Sequence, residues 1–164
     1  MDPWNAFRGQ INPFNLIASK RLRLIAQVIF LIALWVFGKP LYDQDVLNSD
    51  RTLAEMGNPV GMELLGHHYE TGDVVKQDYA QAMDWYMKGA NHGSSSAMFH
   101  LSNLYELGLG VPKDDVAAYT WALLGARHYS ELAENSRLRL AKSLNPDQIR
   151  QAEQQANQWQ PANP

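Results

Sequence analysis

The stretch GMELLGHHYETGDVVKQDYAQAMDWYMKGANH (residues 61–92) decides the fold, because AMFHLSNLYELGLGVPKDDVAAYTWALLGARH (residues 97–128) repeats it. Met62 and Met98, Leu65 and Leu101, Tyr69 and Tyr105, Gly72 and Gly108, Val75 and Val111, Asp78 and Asp114, Ala82 and Ala118, Trp85 and Trp121, and Ala90 and Ala126 each stand 36 residues apart, with no gap. A fixed period in this range, carrying a small residue, an aromatic and a glycine in a set order, is the mark of a stacked helical repeat and not of a single globular core.

The order of residues within a unit says what the unit is. Ala97, Met98, Leu101, Tyr105 and Gly108 lie on one stripe of a helix closed by glycine, and Ala118, Trp121, Ala122, Gly125 and Ala126 form a second stripe. Small residues at Gly61, Gly66, Gly89, Ala90, Ala97, Gly125 and Ala126 let helix axes approach, while Tyr and Trp fill the remaining space. Each unit is therefore expected to be a helical hairpin. Gly108 to Asp114 is its turn, with glycine supplying positive φ and Asp114 or Asp115 capping the second helix.

The pattern Ala-x-x-x-Leu-x-x-x-Tyr-x-x-Gly-x-Gly-Val-x-x-Asp from Ala97, followed by Ala-x-x-Trp and a Gly/Ala-rich end, resembles the Sel-1-like repeat, a relative of the tetratricopeptide repeat. Two copies are expected, at 58–93 and 94–129. The first departs from the pattern at Asp73 and Val74, so its turn is expected to differ. The resemblance implies an all-α superhelix and an adaptor that binds other proteins.

Composition narrows the function classes. A net charge of -3 and no cluster of Lys and Arg in the repeats give no drive toward nucleic acid. Cysteine is absent, which removes disulfides, thiol catalysis and cysteine-ligated metals. There is no zincin motif, no glycine-rich phosphate loop and no paired nucleophile and base. Glu63, His67 and Glu70 share a helical face, with His68 and His100 near, and could in principle hold a metal. Adjacent His67 and His68, however, point in different directions. We expect no enzyme, no cofactor, no metal and no small-molecule substrate.

Upstream, residues 24–37 (LIAQVIFLIALWVF) are apolar except for Gln27, preceded by Lys20, Arg21 and Arg23 and followed by Gly38, Lys39 and Pro40. Asn12 and Pro13 suit the start of one helix running to Gly38. The strictly apolar part reaches only about 21 Å against a hydrocarbon core of about 30 Å, so it must recruit its neighbours. A cleaved signal peptide and a buried core helix compete with an anchor. The leader would be long and bulky to its end, and a run apolar on every face has no core here large enough to bury it. A transmembrane anchor at 24–41 is the favoured reading. Arg8, Lys20, Arg21 and Arg23 precede it and Asp43, Asp45 and Asp50 follow, so residues 1–23 are expected in the cytoplasm and the repeats across the inner membrane, in the periplasm of a Gram-negative cell. Trp4, Phe7, Ile11 and Phe14 recur at helical spacing near the start.

The flanks read as caps. Asn48, Ser49 and Asp50 offer N-caps for a helix ending at Gly57, within a capping segment 42–57. Leu53, Ala54 and Gly57 lie 36 residues before Gly89, Ala90 and Gly93, as in the second half of a degraded unit. Ser130 and Asn145-Pro146 start two helices within 130–159, whose polar face includes Gln148, Gln155 and Asn157, and 160–164 is expected to be a disordered tail. The face not used for stacking is the candidate protein-binding groove. Glu63, Leu64, His67 and Glu70 line it in the first copy, and Phe99, His100, Asn103, Glu106 and Leu107 in the second. An apolar groove edged with carboxylates suits a peptide or helix bearing Lys or Arg. A membrane or periplasmic protein complex is the expected partner, either captured by a free adaptor or joined as an accessory subunit that also uses the membrane helix.

Overall fold

The computed structural model describes residues 20–33, 39–128 and 130–161. The chain divides into two units, residues 1–42 and 43–164. The described residues form eight helices: α1 (Lys20–Ala33), α2 (Lys39–Glu55), α3 (Pro59–Thr71), α4 (Tyr79–Asn91), α5 (Ser95–Leu107), α6 (Asp115–Arg127), α7 (Glu131–Leu140) and α8 (Pro146–Gln158).

In the first unit, α1 is 14 residues long. Leu24, Ile25, Val28, Ile29, Phe30, Leu31 and Ile32, which together ring the helix, are each between 53% and 64% exposed. Among the described residues no helix is long and apolar enough to cross a membrane, and the expected span 24–41 includes residues outside them. At 1.5 Å per residue, α1 covers about 21 Å. The expected flanks of that helix, residues 12–19 and 34–38, lie outside the described residues, as do the aromatic start (Trp4, Phe7, Ile11, Phe14) and the end of the tail at 162–164.

The second unit is the helical stack. Its spacing is written in the backbone as well as in the side chains. The Asn58 N–H donates to the Leu53 carbonyl at 3.1 Å, Ser94 to Gly89 at 2.9 Å and Ser130 to Gly125 at 3.2 Å, so one inter-unit turn occurs three times at the same interval. The side chains of Asn58, Ser94 and Ser130 each cap the helix that follows, accepting from Val60, Ala97 and Ala133. Two full hairpins, α3–α4 and α5–α6, therefore lie between α2, which sits as the second helix of an upstream unit, and α7, which sits as the first helix of a downstream one.

Within each hairpin α3 and α5 end at a glycine in the left-handed region, Gly72 and Gly108. The chain then returns so that the Asp78 N–H meets the Tyr69 carbonyl at 2.8 Å, and Asp114 meets Tyr105 at 3.0 Å. Asp78 and Asp114 cap α4 and α6, which settles the choice between Asp114 and Asp115. The first turn lacks the second glycine, yet it closes with the same backbone bond. Val74 and Val75 instead pack against Leu47, Ala54, Met62 and Leu65. In the second turn Gly110 has φ +74 and lies so close to α4 that a Cβ would sit 2.8 Å from the Tyr79 carbonyl carbon.

The expected caps Asn48, Ser49 and Asp50 lie inside α2, which starts at Lys39. The polar groups of two of them find lateral partners within a continuing helix: Asn48 accepts from the Gln44 side chain at 3.2 Å, and Asp50 turns inward to His68.

The junctions between units depend on complementary volume. A Cβ on Gly89 would lie 3.1 Å from the Ala97 Cβ, and one on Gly125 would lie 2.7 Å from the Ala133 Cβ. At the first junction the sizes are exchanged, since Leu53 holds the bulk and Gly61 gives way: a Cβ there would meet the Leu53 Cβ at 2.6 Å and the Ala54 N at 2.5 Å. Inside the first hairpin Gly66 lies flat on Tyr86, whose ring would be 2.6 Å from an added Cβ. Tyr86 is fully buried, and Trp85, half-buried, packs against the core of Leu47, Ala54, Met62 and Leu65 with the Lys88 Nζ 3.8 Å above its ring. Trp121 is buried and meets Trp159 edge-on at 5.8 Å. That contact belongs to α8, which starts at an Asn145–Gln148 capping box and folds back over α6. Gln155 and Asn157, expected on the solvated face, are exposed and also accept from Thr120 at 3.0 Å and Arg127 at 2.8 Å.

Candidate protein-binding face

The first helices of successive units, α3, α5 and α7, present the face not used for stacking. Pro59 at the first turn and left-handed Gly72 fix the ends of α3, and Ser94 and Gly108 fix those of α5, so equivalent positions lie side by side. The structure brings His67, Phe99 and His100 together: the His67 and His100 rings are 6.1 Å apart, and Phe99 meets His100 edge-on at 5.4 Å. His67 is exposed, Leu64, Phe99, His100 and Asn103 are half-buried, and Leu107 is 65% exposed.

The three carboxylates expected to edge the groove all face groups of this chain. Glu63 accepts from the Ser94 and Ser96 hydroxyls at 3.2 and 2.6 Å, crossing from α3 to the start of α5. Glu70 accepts from the Tyr86 hydroxyl at 2.5 Å and lies 3.0 Å from the His100 Nδ1. The His100 ring in turn stacks on Tyr86 at 4.6 Å, nearly parallel. Glu106 pairs with Arg139 of α7. Each glutamate thus joins its own helix to a neighbouring one, and its oxygens are engaged within the chain. Burial would raise the Glu70 carboxyl, but the close approach of His100, the hydrogen bond from Tyr86 and the nearby charge of His100 and His67 outweigh it and hold it below the ordinary carboxylate value. Burial and the adjacent Glu70 push the Tyr86 hydroxyl well up.

Of the residues weighed as metal ligands, Glu70 and His67 lie beside His100, while Glu63 and His68 turn to other partners. Among the described residues no group of three or more His, Asp, Glu or Cys side chains is arranged to hold a metal ion. His68 turns away from the face into the junction with α2. There its Nε2 is 2.9 Å from the Asp50 Oδ2 and its Nδ1 3.0 Å from the Asp73 Oδ1. Burial would lower the His68 imidazole, but the hydrogen bonds and charges of Asp50 and Asp73 outweigh it and raise it above the ordinary value. Asp73 is held below its ordinary value: burial opposes, and the bonds from His68 and Thr71 prevail. Reading the sequence by its period missed this trio, because the position equivalent to His68 is Leu104 and the one equivalent to Asp50 is Tyr86. The signal available was the unmatched His-His pair itself, with an aspartate five residues on.

Comparison with known proteins agrees with this geometry. The Sel1 repeat profile matches residues 59–94 and 95–130, one residue later than the spacing of the sequence placed the copies. The crystal structure of c5321, a protective antigen present in uropathogenic Escherichia coli strains displaying an SLR fold, is similar at a TM-score of 0.68 and 29% identity, over 78% of this chain and 27% of that one. The crystal structure of a Sel1 repeat protein from Oxalobacter formigenes is similar at a TM-score of 0.55 and 25% identity, over 70% of this chain and 49% of that one. The chain thus matches about a quarter and about half of the length of these two structures. No curated protein matches it.

Proposed function

We propose that this chain, whose residues 59–130 are two Sel1 repeats, is a tethered, non-catalytic adaptor that grips a protein partner along α3, α5 and α7. The observation that carries the reading is the row of side chains left over after stacking: His67, Phe99, His100 and Asn103 run across neighbouring helices and end at exposed Leu107. With Glu63, Glu70 and Glu106 engaged internally, the grip comes from rings, Leu64, Leu107 and the Asn103 amide more than from free charge. Cross-linking in the native membrane followed by purification tests it. Phe99→Ala combined with Leu107→Ser is expected to lose the captured protein while keeping the helical circular dichroism of the parent. Undiminished capture would remove this face from the interface.

The tether we propose is the segment around α1, inserted in the inner membrane with residues 1–23 in the cytoplasm and the repeats in the periplasm. A helix apolar on all sides belongs in a bilayer or against other apolar helices, not flat on a surface, and the basic residues before it set the direction. Alkaline phosphatase fused after Trp159 should be active. An inactive fusion, with a cytoplasmic reporter active at the same point, would reverse the topology. A second reading rests on the apolar side chains exposed all round α1: it packs into a larger membrane assembly, and the chain is an accessory subunit. Replacing residues 20–38 with an unrelated span separates the two, since an adaptor keeps its partner and a subunit loses it.

A further inference from the structure

We infer that Asp50, His68 and Asp73 form a proton-operated clasp that fastens α2 to the first repeat. His68 is buried between two carboxylates, one from each side of a junction: Asp50 from α2 and Asp73 from the turn after α3. Among the described residues, these two are the titratable groups that bear on it. Asp73 is itself fixed by the Thr71 hydroxyl at 3.0 Å.

An ionised carboxylate only accepts, and a neutral imidazole carries a single N–H. Contacts of 2.9 and 3.0 Å at both ring nitrogens are therefore satisfied together only by the imidazolium. Loss of the proton leaves one carboxylate facing a lone pair. Asp73, half-exposed and held by Thr71, is screened by water on that side, whereas Asp50 is almost buried. The bond to Asp50 then persists without its charge assistance, and α2 holds less tightly.

What α2 covers gives the clasp its consequence. Leu47 and Ala54 lie over Met62 and Leu65, so weakening this contact uncovers the apolar flank of the first hairpin. The downstream junction has no such device: Tyr86, Leu104 and Leu109 occupy the positions of Asp50, His68 and Asp73, and Tyr86 and Leu104 are fully buried.

The sign follows from the shifts. The raised His68 contributes hold that is complete below about 6.5 and is lost as pH rises through its folded value, while the lowered Asp73 contributes hold present above about 3.9 and lost as pH falls through its own. The clasp is closed between these limits.

The test uses the full chain in mild detergent, with nitrogen-15 NMR of the histidine rings and amide hydrogen exchange corrected for intrinsic pH dependence. Both His68 ring nitrogens are expected to carry protons at pH 6. As His68 titrates, protection of the 45–55 amides should fall about ten-fold, the scale of one charge-assisted hydrogen bond, while the 79–91 amides hold steady. His68→Gln should flatten the response. Asp73→Asn, a milder change, should move the midpoint down in pH. A single protonated nitrogen on His68 at pH 6, or 45–55 amides that track the 79–91 amides across the titration, would overturn the clasp whether or not either variant folds.

Discussion

Gly66 and Tyr86 in the first hairpin correspond to Ser102 and Ala122 in the second, so the two copies fill one space in different ways. Gly66→Ala forces a methyl to within 2.6 Å of the Tyr86 ring, and is expected to cost about 2 kcal/mol in urea unfolding. Ser102 is fully buried and its hydroxyl has no hydrogen-bond partner among the described residues. Ser102→Ala should therefore be neutral or stabilise by up to about 1 kcal/mol, since it removes a desolvated polar group without opening a large cavity. Glu70 adds a pH effect of known sign: its lowered carboxyl contributes stability that is present above the ordinary carboxylate range and is lost as pH falls through its folded value. Glu70→Gln should flatten the acid limb of a melting-temperature profile. None of these features was legible from the period, because a repeat displays what its copies share. Tyr86, His68 and Ser102 are positions where the copies differ, and their roles depend on neighbours distant in sequence.

At the scale of helices and turns, much more could be read in advance. The caps at Ser130 and Asn145 follow from residue type, and that of α6 was narrowed to Asp114 or Asp115. Asp114→Ala should cost about 1 kcal/mol in the same unfolding measurement, because two amide N–H groups lose their acceptor. The start of α2 was misjudged for the complementary reason: Asn48 and Asp50 have capping chemistry, but Gln44 and His68 use it within a continuing helix. The return of α8 over α6 was equally hidden, since nothing in Trp159 itself names Trp121 as its partner. Trp159→Ala is expected to destabilise by about 2–3 kcal/mol and to expose Trp121, read as a red shift in tryptophan emission and faster quenching by acrylamide.

At the scale of the whole chain, the 36-residue interval announced a stack of helical hairpins, and the stack extends half a unit beyond the two copies at each end. Which residues share the unstacked face was legible from helical periodicity. That its carboxylates would be engaged by Ser94, Ser96, Tyr86, His100 and Arg139 was not, because those bonds cross between helices whose spacing only the fold supplies. Stability in such an array is the sum of unit and neighbour contributions. Removing residues 131–161 should therefore lower the unfolding midpoint of α5–α6 more than that of α3–α4, a gradient that residue-resolved hydrogen exchange measures.

The exchange of bulk between Leu53–Gly61 and the later Gly89–Ala97 and Gly125–Ala133 contacts gives the array a direction of growth. A duplicate of residues 94–129 spliced in after 129 would meet matching partners on both sides. A duplicate of 58–93 spliced in before 58 would set one glycine against another and open a hole. Lengthening by duplication is thus tolerated at the downstream end and penalised at the upstream one, so a lineage that expands this protein inherits a preferred side on which to do so.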